Sequence, residues 1–282
     1  MTVDPIAVFQ DAIRQARREM IPSSREIVSQ TLHELGYIDQ LVDSEHVRQN
    51  FNEYLRHVFE HALEVLERYE EPAYAVTAID ELADLQRDDL VEARQVMKRA
   101  GDDEAAFETA FKWLIRKWYR FLWTLFLSIS QSRKTRGGKD FELAISGLLD
   151  LMNIPHERQL ARYRADFILP SMDVYRRDRN LAIVLSAKRT LRERWQEVVD
   201  ELQRMNSPNV YLATTDESIS LEKQREIAQR NIYLMVWDEV KQASFPDDSL
   251  VVGYSEFVNR ILTHFEARWP ASSDPGEVQY GR

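Results

Sequence analysis

A chain of 282 residues, 44% of them hydrophobic, is long enough for one large domain or for one core with a substantial accessory part. It has no cysteine, which excludes disulfides and thiolate metal sites and suits a reducing cytoplasm. A net charge of −10 argues mildly against a nucleic-acid partner, but phosphate binding depends on local placement of Lys and Arg, and SRKTRGGK (Ser132 to Lys139) and KRTLRER (Lys188 to Arg194) are locally basic.

The N-terminus, MTVDPIAVFQD, lacks a basic head and an apolar middle, so no signal peptide is expected. The most apolar stretch, Phe121 to Ile129, is too short to span a bilayer. Residues 1–130 read as a helical part, with apolar positions at helical spacing in IAVFQDAIRQA, FNEYLRHVFEHALEVLERY and FETAFKWLIRKWYRFLWTLFLSI. Pro22-Ser23-Ser24 is a break whose serines can cap the next helix; Pro72 is expected to end a helix and Gly101-Asp102-Asp103 to form a turn. This part is assigned to dimerisation and to contacts flanking the site.

His57 and His61 stand four apart, a spacing that binds zinc from one helix face. HVFEH has no third ligand nearby and lacks the glutamate position of the metalloprotease motif, so both read as helix-surface histidines. Trp113, Trp118, Tyr119, Phe121 and Trp123 recur at helical spacing, which favours core or dimer packing over stacking on bases.

At Gly137-Gly138 the texture changes, and residues 131–270 read as an α/β core followed by a flexible tail, 271–282. The expected order is a helix from Lys139 to Met152, strands at Asp166–Leu169 and Leu181–Lys188, a helix from Thr190 to Met205, a strand VYLATT (Val210 to Thr215), a helix at Leu221–Gln229, a strand IYLMVW (Ile232 to Trp237) and a helix from Ser255 to Trp269. The strands flanking the Ser171–Asn180 loop most simply form an antiparallel hairpin.

The stretch from Arg164 to Glu201 carries the chemistry. An acid on one strand (Asp166), a lysine ending its neighbour (Lys188) and an acid on the next helix (Glu201) can converge on one point, the constellation for metal-assisted phosphodiester cleavage. Asp166, Glu201 and the carbonyl of Ala187 would supply oxygen ligands to one or two Mg²⁺ ions, and Lys188 would hold the attacking water or the developing charge. Glu142, on the preceding helix, could reach the same site, either as a ligand to a second metal or by supporting the first metal's ligands. Taken singly, each has a plainer reading: Asp166 as a turn residue, Lys188 as a solvated strand end, Glu201 as a partner of Arg194 or Arg204.

The segment resembles the PD-(D/E)XK nuclease superfamily, and within it the type II restriction endonucleases of the EcoRII, PspGI and NgoMIV group. In those enzymes the second acid is displaced from the strand to the following helix, as in Ser186-Ala187-Lys188 followed by Glu201. The likeness covers roughly residues 131–240; Ala165 departs from it, standing where the group has proline. It implies a restriction-endonuclease-like core, a central mixed sheet flanked by helices, with Asp166, Lys188, Glu201 and Glu142 in the catalytic roles and Mg²⁺ as cofactor.

The resemblance also implies what is read. Arg192 and Arg194 match positions that bond guanine O6 and N7, and Glu193 one that accepts from cytosine N4, pairings that are chemically sound on their own. Gln131 matches a glutamine that touches guanines from the minor groove. The implied target is double-stranded DNA with a palindromic CC/GG core, read by a homodimer in a bacterial cytoplasm where a methyltransferase protects the same site. Some relatives flip the central base pair onto an aromatic, for which Tyr54, Tyr74 and Trp118 stand as equal candidates. A nuclease on the same core that cuts by DNA shape, an inactive DNA-binding module and a helical interaction protein are the alternatives.

Overall fold

Helix α1 (Pro5–Met20) opens on Asp4, whose side chain accepts from the Ile6 N–H, and α2 (Ser24–Glu34) opens on a reciprocal box between Ser23 and Glu26. The computed structural model describes residues 4–38, 43–101, 103–160, 165–191 and 195–270. Then follow α3 (Ser44–Gln49) and α4 (Phe51–Glu70). Pro72 does not end this helix as expected. It lies in a π-helical stretch, Glu71–Ala78, continuous with α4, where the local change of winding accommodates the missing N–H, and the chain winds on into α5 (Ile79–Leu85).

Next comes α6 (Arg87–Ala100), closed by Gly101 at φ 127°, a backbone conformation that favours glycine. Helix α7 (Glu104–Lys117) is capped by the side chain of Asp103. A second correction concerns Gly137-Gly138: α8 (Tyr119–Leu151) runs straight through the pair for 33 residues. Each glycine costs a helix about 1 kcal/mol, which the burial of Phe141, Leu148 and Leu149 on the same helix outweighs.

The chain forms two compact units, Met1–Leu35 with Val58–Leu143, and Gly36–His57 with Ala144–Arg282. In the first, Phe9 meets Phe121 edge-on at 5.5 Å and Phe59 meets Phe141 at 5.7 Å. The core of the helices there is built from Ile13, Ile27, Val58, Val65 and Leu82, all buried.

The second unit holds a six-stranded mixed sheet in the order β1 (Glu157–Leu160), β2 (Ala165–Leu169), β3 (Ile183–Lys188), β4 (Val210–Thr214), β5 (Ile232–Val236) and β6 (Val251–Gly253). β1, β2 and β3 pair antiparallel; β3 to β6 pair parallel. The expected hairpin is β2–β3, and its connection winds a short helix, α9 (Met172–Arg177). β1 was not expected, since ERQL carries no apolar run, and neither were the three-residue β6 and α12 (Asp238–Ser244).

The parallel strands are buried along their length, so they read as apolar runs rather than as alternation. They are followed by α10 (Trp195–Gln203), α11 (Leu221–Ala228) and a last helical stretch of three segments, Tyr254–Glu256, Phe257–Leu262 and Thr263–Glu266. Thr190 and Leu191, expected to open α10, are not helical. No helix of the described residues is long and apolar enough to cross a membrane.

Candidate active site

Asp166 follows the first residue of β2, and the register Phe167↔Leu185 sets it against Ser186 one step on. Its Oδ2 accepts from the Ser186 hydroxyl, the Ala187 N–H and the Lys188 Nζ, each at 2.7 Å. Ser186 and Ala187 are buried, while Lys188 and Asp166 keep 32% and 17% of their side-chain surface. The acid is thus fixed by groups of the neighbouring strand, and the pair opens to solvent at the strand ends. Charge-assisted bonds of this length are strong and hold a carboxylate in one orientation.

Oδ1 of Asp166 takes no part in these three bonds. That oxygen, the Ala187 carbonyl and the carboxylate of Glu201 are hard donors in a chain without a thiol, a set whose chemistry fits a divalent cation such as Mg²⁺. Among the described residues no cluster of three or more His, Cys, Asp or Glu side chains forms a metal cage. The fit therefore rests on mixed carboxylate and carbonyl oxygens.

Glu201 stands half-buried on α10, one residue after Asp200, which pairs with Arg230 at 3.3 Å. Glu142 is half-buried on α8, and Gln131 is exposed on the same helix. Both belong to the first unit, whereas Asp166, Lys188 and Glu201 belong to the second. Gln131 lines a polar groove of about 950 Å³ with Ser132 and Arg136, both in the basic segment Ser132 to Lys139, and with Arg17 and Arg18, which no motif singled out. Arg192, Glu193 and Arg194 lie outside the described residues.

The histidines behave as helix-surface residues. His61 bonds Glu34 at 3.1 Å and Glu64 at 2.6 Å, and His57 lies 4.0 Å from Glu53. Trp118 and Phe121 are buried, but Tyr119 and Trp123 are 63% and 58% exposed, so the aromatic stretch is only partly core. Tyr74 and Trp118 are packed inside, which removes them as platforms for a base. Tyr54 remains half-buried, its ring 4.5 Å from that of Tyr37.

A further group went unread in the sequence. Asp216, just beyond β4, is buried, accepts from the Leu191 N–H at 3.1 Å, and bonds the N–H and hydroxyl of Ser218. Its one signal is the D-x-S spacing of a side-chain turn, which occurs in many loops.

Comparison with known proteins bears on the family and the fold. A family model described as EcoRII C terminal matches residues 108–258. The type II restriction enzyme SsoII of Shigella sonnei is 30% identical over 152 residues, and the match spans about half the length of either protein. In fold, the chain is similar to metal-depleted Ecl18kI in complex with uncleaved DNA, with a TM-score of 0.79 and 24% identity over 97% of this chain and 89% of that one. It is also similar to the restriction endonuclease PspGI in a substrate DNA complex, with a TM-score of 0.59 and 21% identity over 89% of this chain and 96% of that one. Since the family model takes in more than half of the 282 residues, including both strands of the Asp166–Lys188 pair, the chain belongs to the family of the EcoRII C-terminal domain.

Proposed function

We propose that the protein is a Mg²⁺-dependent type II restriction endonuclease that cuts double-stranded DNA at a pseudopalindrome with a CC/GG core. The observation that carries this reading is the Asp166–Lys188 pair at 2.7 Å, held by Ser186 and Ala187 at the open end of the β2–β3 hairpin. Family membership supports it, as do a relative named as a type II restriction enzyme and two similar folds solved with DNA.

Asp166, Glu201 and the Ala187 carbonyl would hold the cation, with Glu142 a candidate ligand to a second. The bound ion supplies neutralisation of phosphate charge and a water acidic enough to attack near neutral pH. Lys188 does the rest of the electrostatic work, its ammonium orienting the water and offsetting negative charge on the phosphate oxygens. The water gives up a proton to solvent as its oxygen bonds to phosphorus, the bond to O3′ breaks, and the departing O3′ takes up a proton from solvent, leaving a 5′-phosphate and a 3′-hydroxyl.

Arg192 and Arg194 are assigned to guanine, Glu193 to the cytosine amine, and Gln131 to guanine from the minor groove. A pseudopalindrome calls for two copies related by a two-fold axis, each cutting one strand. The exposed side chains of Phe107, Phe111, Trp123 and Phe126 are the apolar surface that a second copy would cover. A host carrying the enzyme needs a methyltransferase acting on the same site.

Digestion of a long, sequenced DNA with Mg²⁺ tests the proposal. Discrete fragments from the unaltered protein and none from Lys188→Ala are expected. Random degradation, or unchanged fragments from the variant, would overturn it.

A further inference from the structure

β3 and β4 pair in parallel, Lys188 opposite Thr214, so the chain leaves both strands at the same end of the sheet. There the two departing segments are tied together through the main chain of residues 189–191. The Thr215 hydroxyl donates to the Arg189 carbonyl at 2.8 Å, Asp216 Oδ2 accepts from the Leu191 N–H at 3.1 Å, and Lys223 Nζ donates to the Leu191 carbonyl. A carboxylate and an ammonium thus grip the peptide groups on either side of one residue. The Leu191 side chain is itself buried, at 1% exposure.

The clamp is fixed in its own turn. Asp216 Oδ1 accepts from the Ser218 N–H at 3.1 Å and from its hydroxyl at 2.9 Å, and Ser220 caps the helix that carries Lys223. Burial pushes the Asp216 carboxyl up, but the bonds from Leu191 and Ser218, with Lys223 nearby, hold it below the usual carboxylate range. An ordinary surface connection leaves such amides and carbonyls to water. This one spends two opposite charges on a single residue three positions after Lys188.

We infer that Asp216 and Lys223 are positioning residues for base recognition: by holding Leu191 they give residues 192–194, next in sequence, a fixed starting point relative to Lys188. This rests on the reading of Arg192, Glu193 and Arg194 as base-reading side chains. Recognition groups must be held within about 0.5 Å of their productive geometry, and a backbone held on both sides of Leu191 fixes the point from which the next residues start.

The test measures cleavage rates on the mapped site and on the same site with one arm base pair changed, with Mg²⁺ throughout, and takes their ratio. A merely structural defect lowers both rates with the folded fraction and leaves the ratio alone. Asp216→Ala and Lys223→Met are expected to lower the ratio about tenfold, the scale of one good base contact, and Lys223→Arg to restore it. If Asp216→Ala does not fold, Lys223→Met decides, because that side chain is only partly buried. Glu193→Ala runs beside them. An unchanged ratio in the clamp variants beside a collapsed one in Glu193→Ala overturns the clamp alone; an unchanged ratio in Glu193→Ala withdraws the reading residues and the clamp with them.

Discussion

Lys188 Nζ sits 2.7 Å from Asp166 Oδ2, joining the last residue of one strand to the second residue of its antiparallel neighbour. The contact does two things at once. It neutralises an acid that would otherwise stand half-desolvated at the sheet end, and it keeps an ammonium beside the carboxylate proposed to face the scissile phosphate. The backbone N–H of Ala187 and the hydroxyl of Ser186 share that oxygen, so the orientation of the carboxylate does not depend on the lysine alone.

Ser186→Ala tests the orientation. The hydroxyl is fully buried and has Asp166 as its acceptor, so its loss frees the carboxylate to rotate without opening a cavity larger than one atom. Removing a group that orients a metal ligand weakens metal binding by about 10–100-fold. The half-saturating Mg²⁺ concentration for DNA cleavage is expected to rise by about that factor, with little change at saturating metal. Identical Mg²⁺ titrations of the two proteins would show that Ala187 and Lys188 suffice.

Tyr254 ties the end of β4 to the last helical stretch. Its hydroxyl donates to the Thr214 carbonyl at 3.0 Å from a side chain with no exposure, and burial raises its pKa far above the ordinary phenol value, so it stays a donor at every working pH. Tyr254→Phe deletes that bond while preserving the ring. A loss of about 1–2 kcal/mol in urea unfolding, with an unchanged denaturant slope, is expected. Full retention of stability would mean that water or a neighbour replaces the bond.

What could be read in advance followed from short-range signals. The β2–β3 hairpin was legible because two apolar runs stand between Asp166, Pro170 and Lys188, and the acid–lysine pairing follows from that register. The middle of α8 was misread because Gly137 and Gly138 weigh heavily in local propensity, whereas the decisive burial comes from Phe141, Leu148 and Leu149 further along. The grip of Asp216 on Leu191 was illegible for a different reason. The two residues lie 25 positions apart, and only the parallel pairing of β3 and β4 brings them together.

Gly253, closing β6, marks a close approach that only a missing side chain permits. A methyl group there would lie 2.5 Å from Asp238 Oδ1 and 3.5 Å from the Asp238 Cα. That oxygen accepts from the Ser255 N–H at 3.0 Å, so moving aside costs this half-buried bond. Gly253→Ala is expected to destabilise the protein by about 1–3 kcal/mol, measured by urea unfolding. A neutral result would mean that Asp238 relaxes freely.

Glu34, at the end of α2, contributes to the acid response of the first unit. Its bonds to Arg68, then to Gln30 and His61, hold its carboxyl down at about 2, well below the usual 4.5. A carboxylate depressed in the folded state adds stability that is fully present above about pH 4.5 and is lost as pH falls toward 2. Glu34→Gln removes that dependence and keeps the side chain's shape. Stability measured by urea unfolding between pH 5 and about 2.5 is expected to fall less steeply for the variant than for the unaltered protein, with the two differing most at the upper end of that window. Parallel pH profiles would place the acid sensitivity of this unit in other carboxylates.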